Sequence, residues 1–299
     1  MNKVVLALLA LYLIWGSTFL GIHYAIESFP PLLMSGSRFA VAGALLWAFR
    51  HAQPGSPRHW LSAWLAGFLL LVLGNGLVSW AEQSIPSGQA ALLVATAPLW
   101  IALWGCYRQG YPGHATIAGL ALAMAGLSCL LQQPAQWSLG SLAVLVSAFS
   151  WAVGSLLSRQ LPRPSDSAQF SAMTMLSAGA TLLGLSWLFG EGAPGPITAR
   201  AALAWLYLVI VGSVIGLTLY TWLMQQASPT LVSTHNYVNP VVAVMLSGWA
   251  GEPLPEGLVP ALMLILAGVA LVATGGLALP QVWQRRWIPL VGAANSSSR

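Results

Sequence analysis

The stretch STHNYVNPVVAVML, from Ser233 to Leu246, sets a histidine, two asparagines, a tyrosine and a proline directly before an unbroken apolar run. A run of that kind belongs in hydrocarbon, where unpaired polar groups are expensive. Polar residues kept there mark either a ligand-facing surface or a set of interhelical hydrogen bonds. Pro240 adds a second signal. It has no N–H, so the carbonyl of Asn236 loses its helical donor and the helix weakens where its side chains are polar. Residues three or four apart share a helix face, so His235, Asn236 and Asn239 form one polar strip, with Ser233 and Tyr237 on a neighbouring one.

The rest of the chain has the same character. Of 299 residues, 57% are hydrophobic and only 6% are charged, against about 25% charged in soluble domains. Such a chain cannot cover a water-facing surface, and an all-α membrane protein is expected. The net charge of +5 raises nucleic acid as a partner, but the basic residues do not cluster into a groove, so none is expected. Cys106 and Cys129 fall in apolar segments and read as small buried thiols, with no disulfide framework or thiolate metal site. Phosphate-binding loops and metal-ligand clusters are absent from the sequence, so no cofactor is expected.

A helical crossing needs about 20 apolar residues. Ten segments qualify: roughly 3–22, 31–50, 61–81, 86–107, 113–131, 139–159, 167–189, 200–224, 229–249 and 256–279, parted by Pro- and Gly-containing turns. With the N-terminus inside, Lys3, Arg50, Arg58, Arg108, Arg159, Arg163, Arg285, Arg286 and Arg299 are cytoplasmic, while Arg200 alone is outside and Arg38 lies within the second span. That asymmetry orients a multi-pass protein with both termini in the cytoplasm.

The halves echo each other in order. Trp15-Gly16-Ser17 in span one matches Trp151 and Gly154-Ser155 in span six. Gln83-Ser84-Ile85-Pro86 matches Gln226-Ala227-Ser228-Pro229, and Ala97-Pro98 matches Asn239-Pro240. Five spans per copy is odd, so the two copies have opposite topology, an architecture of transporters with a site at the midplane. The expected division is a first repeat over residues 1–132, an inverted second repeat over 133–280 and a cytoplasmic tail over 281–299.

The stretches YLIWGSTF (12–19), PPLLMSGSRFAVAGALL (30–46), IPSGQAALLVATAPLW (85–100) and YVNPVVAVMLSGWAGEPL (237–254) resemble the EamA-type permeases of the drug/metabolite transporter superfamily, and within it the YddG-type aromatic amino acid exporters. The resemblance covers nearly the whole chain. It implies ten transmembrane helices as two inverted five-helix repeats, alternating access, and export of amino acids or similar metabolites from a bacterial inner membrane, without enzymatic activity. Proton antiport of another small metabolite is the alternative; a channel-like pore and an intramembrane enzyme are rivals of a different class.

The polar strip on span nine, together with Tyr237, is expected to line a substrate site. Trp15, Ser17, Trp100 and Trp151 are its aromatic and hydroxyl neighbours, with Trp15 and Trp151 facing across the repeat axis to flank a ligand. Asn75 and Ser79 contribute from span three. Gly74, Gly76, Gly212 and Gly216, with Pro98 and Pro240, are expected to bend or gate helices. Arg38 either receives a carboxylate or ties to a helix C-terminus or an acid. Glu82 is expected near the outer end of span three as an interfacial residue. Trp60, Trp64, Trp137, Trp187, Trp283 and Trp287 read as an interfacial belt. Expected partners are a small-molecule substrate and the lipid bilayer, with the oligomeric state left open.

Overall fold

The computed structural model of the chain describes residues 3–50, 54–101, 104, 113–130, 138–227, 229–251 and 257–277. Cys106, Arg108, Trp137, Glu252, Glu256, Trp283, Arg285, Arg286, Trp287 and Arg299 lie outside the described residues. Every expected span is a helix: α1 (Lys3–Ile26), α2 (Pro31–Phe49), α3 (Pro57–Ala81), α4 (Ser87–Ile101), α5 (His114–Leu130), α6 (Leu139–Ser158), α7 (Ser167–Leu188), α8 (Ala199–Gln226), α9 (Pro229–Val232 and His235–Trp249) and α10 (Leu258–Leu277). The described residues contain no strand. A lipid solvent requires each segment to satisfy its own backbone, which the helix does.

Local sequence sets the starts. Pro31 and Pro57 open α2 and α3 at positions where a missing N–H is harmless. Ser56, Ser138, Asp166 and Thr198 cap α3, α6, α7 and α8 by accepting a first-turn amide. Asp166 also receives the guanidinium of Arg50 at 2.8 Å. Burial alone would push this carboxyl up, but the bonds from Arg50 and from the Ala168 and Gln169 amides outweigh it and hold it below its ordinary range.

Packing follows a twofold pattern. Adding five to each helix number turns one set of neighbours into another: α1 against α9 becomes α6 against α4, α6 against α3 becomes α1 against α8, and α3 against α7 becomes α8 against α2. The pairs α2–α7, α4–α9 and α5–α10 map onto themselves and so straddle the axis. Small residues allow the closest of these contacts. A Cβ added to Gly36 or Gly43 of α2 would lie 2.9 Å from the backbone nitrogen of Leu183 or Leu176 on α7. Large apolar side chains such as Leu13, Phe49, Trp187 and Trp249 point outward, as a lipid-facing perimeter requires.

Two irregularities respect the symmetry. Residues Phe68–Gly76 of α3 and Leu208–Ile215 of α8 wind as wide π turns. Such turns loosen the regular ladder and leave carbonyls for other donors. Ser147 and Ser150 of α6 donate to the carbonyls of Gly74 and Leu69, the latter at 2.8 Å. On the other side, the Trp15 indole N–H of α1 donates to the Gly212 carbonyl at 3.1 Å.

Candidate functional site

The π turns and the break in α9 converge on one cavity of about 70 Å³. Both repeats line it. Trp15, Thr18, Phe19 and Ile22 come from α1, Arg38 and Phe39 from α2, Leu71, Gly74, Asn75 and Val78 from α3, and Val94 from α4. The second repeat supplies Ser147 and Trp151 from α6, Gly212, Ser213 and Leu217 from α8, and His235, Asn236 and Asn239 from α9.

The α9 break is closed by its own side chains. After Val232 the chain makes a turn at Ser233 and Thr234 before the helix resumes at His235. Three successive carbonyls at the break each meet a side chain, two of them in addition to a backbone amide. Thr234 Oγ1 donates to Leu231 O (2.6 Å), His235 Nδ1 meets Val232 O (2.7 Å), and Asn236 Nδ2 donates to Ser233 O (3.3 Å). A carbonyl only accepts, so neutral His235 carries its proton on Nδ1 and leaves Nε2 as an acceptor. Tyr12 of α1 hydrogen-bonds Thr234 Oγ1 at 2.5 Å and braces the turn. With its amide oriented by the network, Asn239 donates to His235 O (2.9 Å) and Tyr12 O (3.2 Å), which leaves its Oδ1 for the cavity side.

An aromatic cluster closes one end. Trp15 and Trp151 meet edge to face with centroids 5.3 Å apart, and Trp15 lies 5.0 Å from both Tyr220 and His235. Tyr220 shares a hydrogen bond with Ser155. Trp151 Nε1 is buried and approaches the Tyr220 hydroxyl, with no acceptor in close hydrogen-bond geometry among the described residues. The two indoles touch each other edge to face, and both line the cavity.

The structure therefore brings Trp15, Asn75, Trp151, His235, Asn236, Asn239, Gly74 and Gly212 together and leaves the other expected lining residues elsewhere. Ser17 is engaged with Tyr207 (2.6 Å) and the Leu13 carbonyl. Ser79 accepts from Ser35 at 2.9 Å in the α2–α3 contact. Tyr237 turns away, into an apolar cluster with Leu92, Ala123, Ala261 and Ile265. Trp100 is 37% exposed and packs edge-on against Phe149 on the perimeter. Pro98 is buried in α4 away from the cavity, Gly76 faces Leu182, and Pro240 sits inside α9 behind the polar strip. Gly216 is a packing position: a Cβ there would lie 2.4 Å from Trp15 Nε1.

Two charged residues are buried in the protein. Glu82 closes α3 and is 3% exposed, because the start of α6 packs over the α3–α4 turn, with Gly140 against Ser84 and the Ala81 carbonyl. Arg38, also 3% exposed, lines the cavity and donates from Nε to Ser213 Oγ at 3.0 Å. Thr18, Phe19 and Ser213 were not singled out from the sequence. Thr18 and Ile22 had a signal, since they lie one and two turns from Trp15 on the same helix face.

This geometry of two interlocked five-helix halves has known counterparts. The pattern of the EamA-like transporter family matches residues 2–132 and again residues 138–274. The chain belongs to the EamA-like transporter family. It is 38% identical over 284 residues to the uncharacterized inner membrane transporter YedA of Escherichia coli K12, covering 92% of each chain. It is 26% identical over 263 residues to the probable amino-acid metabolite efflux pump of the same organism, covering 80% of this chain and 84% of that one. A solved structure at 24% identity superposes with a TM-score of 0.68, covering 92% of this chain and 97% of its own, and shares the fold. The protein is a multi-pass membrane transporter.

Proposed function

We propose that the chain exports amino acids with aromatic or large apolar side chains from the cytoplasm of a bacterium, by alternating access about the cavity. The observation that carries the reading is the make-up of that cavity's lining: apolar Phe19, Ile22, Leu71 and Leu217 together with neutral polar Asn75, His235, Asn236 and Asn239 and the cation Arg38. A zwitterion with an apolar side chain matches such a mixed lining, whereas a polyanion would lose its hydration without enough counter-charge. The volume of about 70 Å³ holds roughly five to seven waters at about 10–15 Å³ each. A large amino acid therefore fits only as the repeats move apart, and coupling occupancy to such movement is what alternating access requires. The name of the relative called an amino-acid metabolite efflux pump supports the substrate class.

Counterflow into proteoliposomes preloaded with one amino acid at a time tests the reading. Saturable exchange of phenylalanine or tryptophan is expected. A transported substrate with which neither competes would sink the ligand class. The basic residues Lys3, Arg50, Arg58, Arg159 and Arg163, against Arg200, support cytoplasmic termini in an inner membrane. Cysteine labels at residues 51–58 should then react from the cytoplasm and labels at 192–196 from outside; reaction of both loops from one side overturns the orientation.

Transport down the substrate's own gradient is the primary reading of the energetics, because the described lining residues of the cavity include no carboxylate to exchange a proton with His235. Proton exchange is the second reading, and buried Glu82 favours it, since a carboxylate inside a membrane protein is a common proton carrier. An imposed pH gradient separates the two. Strict dependence on it excludes the facilitator.

A further inference from the structure

Arg38 is the charged side chain that the cavity exposes to a ligand, and its bonding is incomplete. Its Nε is held by Ser213 Oγ at 3.0 Å, and Nη1 is buried with no hydrogen-bond partner among the described residues. A guanidinium kept only as a tie between helices should have its whole fork satisfied, because an unmade bond to a buried cation is expensive. Charges inside membranes persist where they face a pathway or a ligand. The opposite chemistry lies in the same cavity: Asn75 Oδ1 is a buried acceptor that also has no hydrogen-bond partner among the described residues. One unsatisfied cationic donor and one unsatisfied neutral acceptor are complementary to a carboxylate and an ammonium on a single molecule.

We infer that Arg38 is the carboxylate anchor of the cavity, receiving the substrate carboxylate on Nη1 while Ser213 fixes the guanidinium through Nε. The ammonium end is then held by Asn75 and its neutral neighbours, and the side chain lies against the apolar lining residues. The planar fork suits a carboxylate, and Glu82 supplies part of the charge balance by Coulombic attraction. This rests on the amino-acid reading above, and makes the carboxylate, not the ammonium, the group that the cation recognises.

The test is binding to purified protein, read by quenching of the cavity indoles Trp15 and Trp151. The probes are phenylalanine, phenylacetate (acid only) and 2-phenylethylamine (amine only). The variant is Arg38→Met, because an apolar residue of similar length in place of a buried cation commonly preserves folding. Expected is a loss of phenylacetate and phenylalanine affinity of about tenfold or more, the effect of a lost charged hydrogen bond, with 2-phenylethylamine unchanged. Unchanged phenylacetate affinity in folded Arg38→Met overturns the inference, as does equal loss of acid and amine. If that variant does not fold, Arg38→Gln replaces it under the same criteria. If neither folds, Arg38 is a structural residue and the inference fails. Failure of the wild type to carry any amino acid, with phenylacetate binding still lost on substitution, sinks the transport reading and leaves the anchor standing.

Discussion

Helices α4 and α9 are counterparts in the two repeats, both broken, and they spend the break differently. In α4 the turn at Ala95 and Thr96 is closed by Thr96 Oγ1 donating to Leu93 O at 2.8 Å, and the residues around it are apolar. In α9 the turn at Ser233 and Thr234 is closed by three side chains in succession, two of which, His235 and Asn236, also line the cavity. Matching Pro98 with Pro240 sets Val94 opposite Asn236, and both reach the cavity. Symmetry thus supplies the same weak point twice, and side-chain chemistry decides that one copy packs while the other presents hydrogen-bonding groups. A broken helix in a membrane is tolerated where it borders a cavity; the repair groups of α9 are themselves polar faces of that cavity, which is what a binding surface there would require.

The strongest way to break this comparison is to blunt the α9 side. His235→Ala removes the cap on Val232 O and the cavity acceptor together, and Asn239→Ala removes the link to His235 O and Tyr12 O. Each should lower the initial rate of counterflow by about tenfold or more, since an interaction of one to three kcal/mol converts to roughly that range. Melting temperature in detergent should fall only slightly. Interhelical bonds in membranes average about 0.6 kcal/mol. Activity and folded yield lost in step would make the strip structural and erase the distinction between α4 and α9.

A second comparison runs between the two π turns. Gly74 packs on Trp151 and Gly216 on Trp15, so the repeats place one glycine under each indole. A Cβ at Gly216 would lie 2.4 Å from Trp15 Nε1, and one at Gly74 would lie 2.9 Å from Trp151 Cε3. Trp15 is also held by its bond to Gly212 O, whereas Trp151 Nε1 makes no comparably tight bond among the described residues, only an approach to the Tyr220 hydroxyl. Overpacking a tight contact costs about 1–3 kcal/mol. Gly216→Ala should therefore destabilise more than Gly74→Ala, measured as the midpoint of thermal unfolding. The reverse order would show that the two indoles are held equally.

Most of the architecture was legible from the sequence, and much of the site was not, for reasons that particular residues show. Ten spans followed from apolar runs between Pro- and Gly-rich turns, because lipid leaves the backbone few alternatives. His235, Asn236 and Asn239 were legible because polar residues at helical spacing stand out against Val241 to Leu246. The π turns were not, since the donors that stabilise them, Ser147, Ser150 and Trp15, lie more than fifty residues from the carbonyls they take. Trp15 and Trp100 look alike in sequence, both indoles in apolar helices. Only packing puts one in the cavity and the other on the perimeter. Glu82 closes a helix, and what buries it is the start of α6, a neighbour that local sequence does not reveal.

The smallest effect is expected on the α4 side, at Val94. This residue lines the cavity from the position that Asn236 occupies in the second repeat. If α4 contributes only shape, Val94→Thr, which keeps the volume and adds a hydroxyl, should leave the half-saturating phenylalanine concentration within about twofold. The new hydroxyl can turn back to the carbonyl one turn earlier, as Thr96 already does to Leu93 O, so no buried group is left unpaired. Asn236→Val, the reciprocal change, removes the donor to Ser233 O and leaves that carbonyl beside the cavity without its side-chain partner. The Ser233 carbonyl keeps the Asn236 backbone N–H at 3.0 Å, so what the change removes is the polar side chain at the cavity. That should weaken transport several-fold, the effect of one lost hydrogen bond of about 0.5–1.5 kcal/mol. The pair is informative because both substitutions touch the same cavity at symmetry-related points, so a difference in their effects isolates chemistry from position. Equal losses from Val94→Thr and Asn236→Val in the counterflow assay would mean that shape alone governs the site, and that the polar strip of α9 repairs its helix without reading the ligand.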